Sequence, residues 1–395
     1  MEAYAGEWLQ LLIRWVHLIT GIAWIGASFY FIWLDNSLEP PRRQRDVDEG
    51  VGGELSAIHG GGFYHVQKYR VAPPELPPTL HWFKWEAYST WLSGFALLVV
   101  LYWWHADLYM IDRSVAAITP MQAVLLSAAL LVGGWFAYDQ LCKRLGFDRE
   151  RILIASMIAF VAAVAWGLSH VYGGRAVYLQ VGAMLGTLMA ANVLFVIIPA
   201  QRKLVEAKAD GRAPDPVHGM RGKQRSVHNN YLTLPVLLTM ISGHYPMTFG
   251  HPHAWIVLVC LLLLAAFVRH FFNLRHRGRT VWAIPIVAAL GALALAVAIA
   301  PEQRPGAGVV TFGEVQPIIA ARCAACHAEH PRFEGIASAP KGVVLETPAQ
   351  IIANAAAIGQ QAVASRAMPL GNVTQMTDAE RARLAAWIEA GARGP

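Results

Sequence analysis

The sequence is poor in charged residues. Only 15% of its 395 residues are Asp, Glu, Lys or Arg, whereas 55% are hydrophobic. This balance excludes an ordinary soluble enzyme and is typical of an integral membrane protein. The net charge of +6 does not indicate a nucleic-acid-binding surface, because residues 305–395 carry seven basic and seven acidic side chains. The excess lies earlier in the chain, where basic loops set the orientation of a membrane protein.

Cysteine is scarce, with four residues in the chain. Cys142 and Cys260 stand alone in or beside apolar stretches and are expected to be small buried hydrophobic residues. The other two lie in the stretch CAACH at 323–327, which is the covalent attachment pattern of a c-type haem. A zinc site would need a second Cys or His pair, and only His330 is near, so zinc is not expected there.

A cleavable signal peptide is not evident, because the first apolar stretch is too long and lacks a small-residue cleavage site. That stretch is expected to remain as a membrane anchor. Eight apolar segments, most of them about 20 residues long, are each predicted to cross the bilayer as a helix, since lipid cannot satisfy backbone polar groups. The segments are 15–34, 82–104, 121–141, 152–171, 178–199, the shorter 231–243, 254–272 and 281–300.

Loop charge predicts the orientation of these helices. Basic residues concentrate in three loops, at 143–151, 202–225 and 269–279, and are sparse in the alternate loops. The positive-inside rule makes the basic loops cytoplasmic and places both termini in the periplasm of a bacterial inner membrane. Covalent haem attachment takes place outside the cytoplasmic membrane, so the haem motif and the loop charges predict the same orientation.

The chain divides into a membrane part and a tail. Residues 1–300 are predicted to form an all-α bundle of eight transmembrane helices, and the Pro/Gly-rich stretch at 301–310 is predicted to be a linker. Residues 311–395 are predicted to form a small helical cytochrome c domain. Capping-box patterns at 311–314 and 377–380 predict the start of two of its helices.

Haem ligands can be named within the tail. Cys323 and Cys326 are predicted to form the thioether bonds, and His327 to bind the iron from the proximal side. A Met sulfur is expected on the distal side, which raises the potential and favours electron transfer. Met368, directly before a proline, is the favoured candidate, and Met376 is the competitor.

Two polar residues stand near the outer end of the first helix. Arg14 and His17 are three positions apart and therefore share one helix face. The pair suits a haem b, with His17 as axial ligand and Arg14 on a propionate, and it equally suits an anionic organic substrate. An interfacial arginine beside a hydrogen-bonded histidine is the third interpretation.

A second polar group is predicted near the inner membrane face. It consists of Asn192, His228, Asn229 and Asn230. Such residues within the membrane depth line a cavity or bind a ligand, although a helix cap at Asn229 or Asn230 is an alternative. In the loop at 35–81, three glycines precede alternating polar residues, which is typical of a short strand. This loop either plugs an inner cavity or folds as an ordinary cytoplasmic loop.

Several stretches together resemble one known family. RWVHLITGIAWIGASFYFIWLDNSLE, HWFKWEAYSTWLSGFALL, HNNYLTLPV, and CAACH followed by MPLGN resemble the membrane-bound urate oxidases, which join an eight-helix domain to a cytochrome c domain. The resemblance implies oxidation of urate to 5-hydroxyisourate with water as the oxygen source. It also implies that electrons pass to the chain's own haem c and on to a downstream cytochrome c or terminal oxidase.

The position of the urate site decides whether a second haem is needed. Urate near Arg14 and His244 allows direct transfer to an outer haem c, whereas urate at the inner end requires a relay across a core of roughly 30 Å. The amides of the inner end favour the relay, through a haem b on His17. Two other functions stay open: electron transfer from quinol to cytochrome c without a purine substrate, and a permease with a regulatory haem domain.

Overall fold

The computed structural model describes residues 2–300, 310–333 and 336–395. Of the predicted linker, residues 301–309 lie outside this description. Helices make up 68% of the structure and strands 5%, in agreement with the helical class predicted from the sequence.

A helix coincides with each of the eight predicted segments. The helices before residue 300 are α1 (Glu2–Ser37), α2 (Gln44–Asp48), α3 (Trp85–Leu97), α4 (Ala106–Tyr109), α5 (Pro120–Leu145), α6 (Glu150–Leu168), α7 (Gly174–Ala191), α8 (Ile198–Ala209), α9 (Pro216–Ile241), α10 (Pro246–Phe249), α11 (Ala254–His276) and α12 (Ala283–Ala298). A π-helical turn extends α3 over Leu98–Trp103, and another joins α7 to α8 over Asn192–Ile197.

Within the described ranges, five helical stretches are long and apolar enough to cross a membrane. They are Tyr4–Ser37, Pro120–Leu145, Glu150–Leu168, Gly174–Ala209 and Ala254–His276. The helices at the other three predicted segments are shorter or more polar. The structure is therefore compatible with a membrane protein, and the count of eight crossings stays a prediction.

The sixth predicted segment is the end of a much longer helix. Helix α9 has 26 residues and begins at Pro216, where the Asp215 side chain accepts a hydrogen bond from the Val217 amide at 2.9 Å. This Asp-Pro start is a standard helix N-terminus. Most of the stretch 202–225, predicted as a loop, is therefore helical. The cap interpretation of Asn229 and Asn230 is wrong, because both lie in mid-helix.

The loop at 35–81 contains the one sheet of the described residues. Strands β1 (Val51–His59) and β2 (Gly62–Tyr69) pair antiparallel. Gly60 and Gly61 at the turn have φ of +59° and +81°, which only glycine adopts freely in a two-residue hairpin loop. The predicted strand is confirmed. Phe63 beside the turn is 89% exposed, so the described residues do not pack on this side chain at the hairpin tip.

The main core lies among α5, α6, α7 and α11. Tyr138, Leu153, Met184 and Leu258 are fully buried there. A Cβ on Gly134 would lie 2.8 Å from Met184 Cγ, so this glycine allows α5 and α7 to pack closely. Helix α1 is peripheral and packs chiefly against α3.

The tail has a core of its own. Its helices are α13 (Phe312–Arg322), α14 (Pro348–Ala353), α15 (Ala355–Ile358) and α16 (Asp378–Glu389). Phe312, Ile319, Leu384 and Trp387 pack together in it. Both predicted capping boxes are confirmed, at the first residues of α13 and α16.

The tail packs directly on one end of the helices. A Cβ on Gly250 would clash with the Ser365 carbonyl oxygen, and a Cβ on Gly371 would lie 2.7 Å from the Ile111 carbonyl oxygen. Both contacts bring backbone against backbone, which only glycine permits. The tail segment 365–372 is thereby held against the loops around residues 111 and 250.

Candidate functional site

A cavity of about 1630 Å³ lies where the tail meets the helices. Its wall includes Arg14 and His17 of α1, Arg175 of α7, and Met368 of the tail. Of the predicted candidates, Arg14 and His17 are thus brought to one cavity together with the favoured distal Met. The cavity is larger than most sites for small molecules.

Of the cavity's arginines in the described residues, Arg14, Arg175 and Arg381 have no acidic partner, and Arg381 donates instead to the carbonyl oxygens of Ala362 and Met368. Among the residues that the structure describes, no carboxylate oxygen lies within 4.0 Å of the Arg14 or Arg175 guanidinium. The Arg175 guanidinium lies 5.5 Å from the centre of the Tyr109 ring, and its Nε is buried without a partner. Such a site attracts an anion that brings hydrogen-bond acceptors.

The His17 ring is fixed in orientation. Its Nδ1 lies 3.0 Å from the Thr90 carbonyl oxygen and 3.1 Å from Ser93 Oγ. A carbonyl only accepts, so Nδ1 carries the hydrogen and Nε2 is left as a base or ligand. A Cβ on Gly94 would lie 2.8 Å from His17 Cε1, so glycine makes the room for the ring.

The CAACH motif follows the first tail helix directly. Cys323 is the residue after α13, and burial first, then the neighbouring Cys326, raises the pKa of the Cys323 thiol to about 11. His327 Nδ1 donates to the Val343 carbonyl oxygen at 3.0 Å. That bond leaves Nε2 free for iron, as in proximal histidines. These side chains fit a covalently attached haem.

The two candidate distal methionines differ in environment. Both line the cavity, but Met376 is 3% exposed within the tail core, and its amide donates to Asn372 Oδ1 at 2.9 Å. Met368 is half-buried at the cavity wall, and its carbonyl accepts a hydrogen bond of 2.7 Å from Arg381. In the described ranges, no group of three or more His, Cys, Asp or Glu side chains is arranged to hold a metal ion.

The four polar residues of the inner end fall into two separate networks. The first, termed the Arg225 network, consists of Tyr138, Asp139, Asn192, Arg225, His228 and Asn229. Arg225 donates to Asp139 Oδ1 at 2.7 Å and to Asn192 Oδ1 at 3.3 Å. Asn192 donates to Asn229 Oδ1 at 2.8 Å. The Tyr138 hydroxyl contacts His228 Nδ1 at 2.9 Å. The network satisfies its own charges and amides, and only His228 Nε2 is left without a partner.

The second network, termed the Arg269 cluster, consists of Asn230, Arg269 and Asn273. Asn230 Oδ1 accepts hydrogen bonds of 3.0 Å from Arg269 Nε and from Asn273 Nδ2. The Arg269 guanidinium lies 3.9 Å from the centre of the Phe29 ring. One atom of each cluster residue is buried without a partner: Arg269 Nη2, Asn230 Nδ2 and Asn273 Oδ1.

Sequence reasoning missed the arginines of these networks. Arg225 and Arg269 were assigned to basic loops, whereas they are 4% and 3% exposed within α9 and α11. The signal was present for Arg269, because it interrupts the apolar run LLLLAAFVRHFF. Nothing in the sequence singles out Arg175 as a site residue. Its position in the cavity depends on tertiary packing, which a single sequence does not reveal.

Comparison with known proteins gives one match. The family model described as "Urate oxidase N-terminal" matches residues 3–300. This range covers helices α1 to α12 and excludes the tail. No curated protein and no solved structure matches the chain.

Proposed function

This chain belongs to the urate oxidase N-terminal family, and from that premise we propose that it oxidises urate to 5-hydroxyisourate and delivers the electrons to a c-type haem in its own tail. The observation that supports this most is the shared cavity. Arg14 and Arg175 line it without acidic partners, and Met368 of the tail lines it as well. An anionic substrate and an electron acceptor would therefore be neighbours.

Urate suits this cavity by charge and shape. At neutral pH it is a planar monoanion with three carbonyl oxygens, so two guanidinium groups can bind it through charge-assisted hydrogen bonds. Burial of the partnerless Arg175 Nε makes an acceptor at that atom worth about 1–3 kcal/mol.

The reaction balances with water as the oxygen source. The urate monoanion plus one water gives neutral 5-hydroxyisourate, one proton and two electrons. The water oxygen bonds to C5 of the purine, and one of its O–H bonds breaks. His17 Nε2 is placed to take that proton, because the Thr90 carbonyl holds the ring hydrogen on Nδ1. A base within hydrogen-bond reach of the attacking water is what such a step needs.

Residues of the tail would hold the acceptor. Cys323 and Cys326 would form the thioether bonds, His327 Nε2 would bind the iron, and Met368 would bind it from the cavity side. A haem with His and Met ligands accepts one electron at a time, so each urate requires two transfers. The electrons then pass to a downstream cytochrome c or terminal oxidase, with the tail in the periplasm and the helices in the inner membrane.

A membrane haem is not required by this arrangement. The relay prediction depended on a purine at the inner amides. Asn192 instead donates to Asn229 Oδ1 and accepts from Arg225, and Asn229 donates to the Met189 carbonyl oxygen. With urate in the cavity, His17 serves as base, and transfer to the tail is direct. A pyridine haemochrome spectrum with c-type haem alone agrees with this proposal, and a b-type component would restore His17 as a ligand.

Isotope labelling tests the reaction itself. Purified holoprotein is given urate without oxygen, in water enriched in ¹⁸O, with oxidised cytochrome c as final acceptor. We expect one ¹⁸O atom in each 5-hydroxyisourate and two cytochromes reduced per urate. Consumption of urate only in air, with hydrogen peroxide as product, would refute the proposal. Reduction by quinol with indifference to urate would support the electron-transfer alternative.

The chain without attached haem is the matched control. In Cys323→Ala/Cys326→Ala, urate oxidation ceases under the enzyme proposal. Under the permease alternative, movement of urate across vesicles persists in the same variant.

A further inference from the structure

The Arg269 cluster lies at the end of the helices opposite the tail. Arg269 is the sixteenth residue of α11, whose first residue follows the loop that contacts the tail. At 1.5 Å per residue it lies about 22 Å from that end. Asn230, Arg269 and Asn273 are 0%, 3% and 7% exposed. The cluster is therefore buried and separate from the wall formed by Arg14 and Arg175.

The cluster contains a cation without an anion. Among the described residues, no carboxylate oxygen lies within 4.0 Å of the Arg269 guanidinium, which rests instead on the face of Phe29. Arg225, equally buried on the neighbouring helix, has Asp139 at 2.7 Å. A buried charge without a partner is costly, so the chain supplies the counter-ion in one case and leaves it to a ligand in the other.

The open atoms of the cluster define what that ligand must offer. Asn230 Oδ1 accepts from two donors, Arg269 Nε and Asn273 Nδ2. Exchanging O and N in either amide would place donor against donor or acceptor against acceptor, so the bonds fix both orientations. Two donors are then open, Arg269 Nη2 and Asn230 Nδ2, together with one acceptor, Asn273 Oδ1. The ligand must carry negative charge, hydrogen-bond acceptors and an N–H or O–H donor.

The cavity reaches the edge of this cluster. Phe29 lines the cavity and also lies under the Arg269 guanidinium. Met189 lines the cavity as well, in the helix turn next to the Arg225 network. Phe29 therefore lies between the Arg269 cluster and the cavity that His17 lines.

We propose that the Arg269 cluster is a second binding site, for a planar oxo-heterocyclic monoanion, through which substrate is admitted from the side opposite the tail. Carbonyl and ring N–H groups along one edge of an oxopurine match two donors and one acceptor, whereas chloride offers nothing to Asn273 Oδ1. The choice of urate as this anion rests on the proposed function. The demand for an anion with both acceptors and a donor rests on the cluster alone.

Binding stoichiometry tests the proposal. The holoprotein is reduced with dithionite under argon, so that bound urate is not oxidised, and radiolabelled urate is measured by equilibrium dialysis. We expect two urates per chain. Arg269→Gln should weaken one site by about 10- to 100-fold, the loss of one charge-assisted hydrogen bond, and leave one urate bound. Arg275→Gln, an exposed arginine on the same helix, should leave two.

A second variant, which gives Arg269 a carboxylate partner from the chain itself, distinguishes loss of the site from misfolding. Asn273→Asp places a carboxylate one helical turn from Arg269 and so supplies a counter-ion from within the chain, as Asp139 supplies one to Arg225 from another helix. It should leave the protein folded and reduce binding to one urate. One urate bound by the wild type, or two by both Arg269→Gln and Asn273→Asp, would overturn the proposal. Displacement of the inner urate by chloride at equal affinity would overturn the ligand class.

The outcome is separable from that of the proposed function. Two bound urates without oxidation would refute the enzyme and leave the second site standing. Oxidation with a single bound urate would support the enzyme and refute the second site.

Discussion

Two buried arginines, on neighbouring helices at the end of the bundle away from the tail, differ in one respect. Arg225 lies within 2.7 Å of Asp139 and within 3.3 Å of Asn192. Arg269 has an amide and an aromatic face but no carboxylate among the described residues. In the first network the charges and amides are paired within the chain, with only His228 Nε2 open, and the network holds α5, α7 and α9 together. The second leaves its cation without an anion, which is why we propose a ligand there.

The same distinction applies to the cavity beside the tail. Arg14 and Arg175 lack acidic partners. In His17 and in His327, Nδ1 donates to a backbone carbonyl, which leaves Nε2 free. These oriented but unpaired groups are the ones to which we assign substrate and haem, whereas the paired groups of the Arg225 network are assigned a structural role.

Removing the carboxylate from the complete network should have the largest effect. Asp139→Asn leaves Arg225 buried without a counter-ion, which costs about 3–5 kcal/mol. We expect a large fall in melting temperature in detergent. Asp210→Asn, which removes an exposed partner of Arg212, should cost no more than about 1 kcal/mol. Equal losses in the two variants would show that the Arg225 network is not structural.

The two tail methionines allow a similar comparison between a side chain that packs the tail core and one that we propose binds the iron. Met376 is enclosed in the tail core, so Met376→Ala should destabilise the tail by about 2–5 kcal/mol and keep the sulfur-to-iron charge-transfer band. Met368 lies only partly buried against that core, so Met368→Ala should abolish that band in the ferric spectrum at a smaller cost in stability. Loss of the band in Met376→Ala alone would exchange the two assignments.

Arg175, in the cavity, is an arginine without a carboxylate partner among the described residues. Arg175→Gln should lower kcat/KM for urate by about 10- to 100-fold, because one charge-assisted hydrogen bond to the anion is lost. The melting temperature should hardly change, since no ion pair is broken. Arg113→Gln, an exposed arginine near the same end, is the control. A melting temperature that falls while kcat/KM holds would make Arg175 structural.

The smallest effect is expected from an ion pair at the tail surface, Arg322 with Glu380. Partial burial alone would raise the pKa of Glu380, but hydrogen bonds from Thr377 and Arg322 lower it below its usual 4.5. A lowered folded-state pKa gives stability that is present above about pH 4.5 and lost as the pH falls below it. Glu380→Gln should flatten this acid limb of the melting profile. Glu389→Gln, exposed on the same helix, should leave the limb unchanged.

The sequence was sufficient for the elements that depend on local pattern. Helices coincide with all eight apolar segments, and the capping boxes at Thr311 and Thr377 and the strand after the three glycines are where the pattern indicates. These features follow from hydropathy, capping and glycine turns, which act over a few residues.

The sequence was insufficient where partners are remote. Asp139 and Arg225 are 86 positions apart, and Arg269 and Asn230 are 39 apart. The loop-charge argument therefore placed Arg225 and Arg269 in cytoplasmic loops, although both are buried within helices. Grouping Asn230 with Asn229 was natural for adjacent residues, but successive helix positions point about 100° apart and join different networks.

The central claim is that urate bound among the helices reduces the iron of the tail. Ferric holoprotein is mixed with urate under argon, and the α-band of the reduced haem is followed in a stopped-flow spectrometer. The account predicts that the band grows until two haems are reduced per urate added. A haem that stays ferric with urate present, yet is reduced by dithionite, would contradict it.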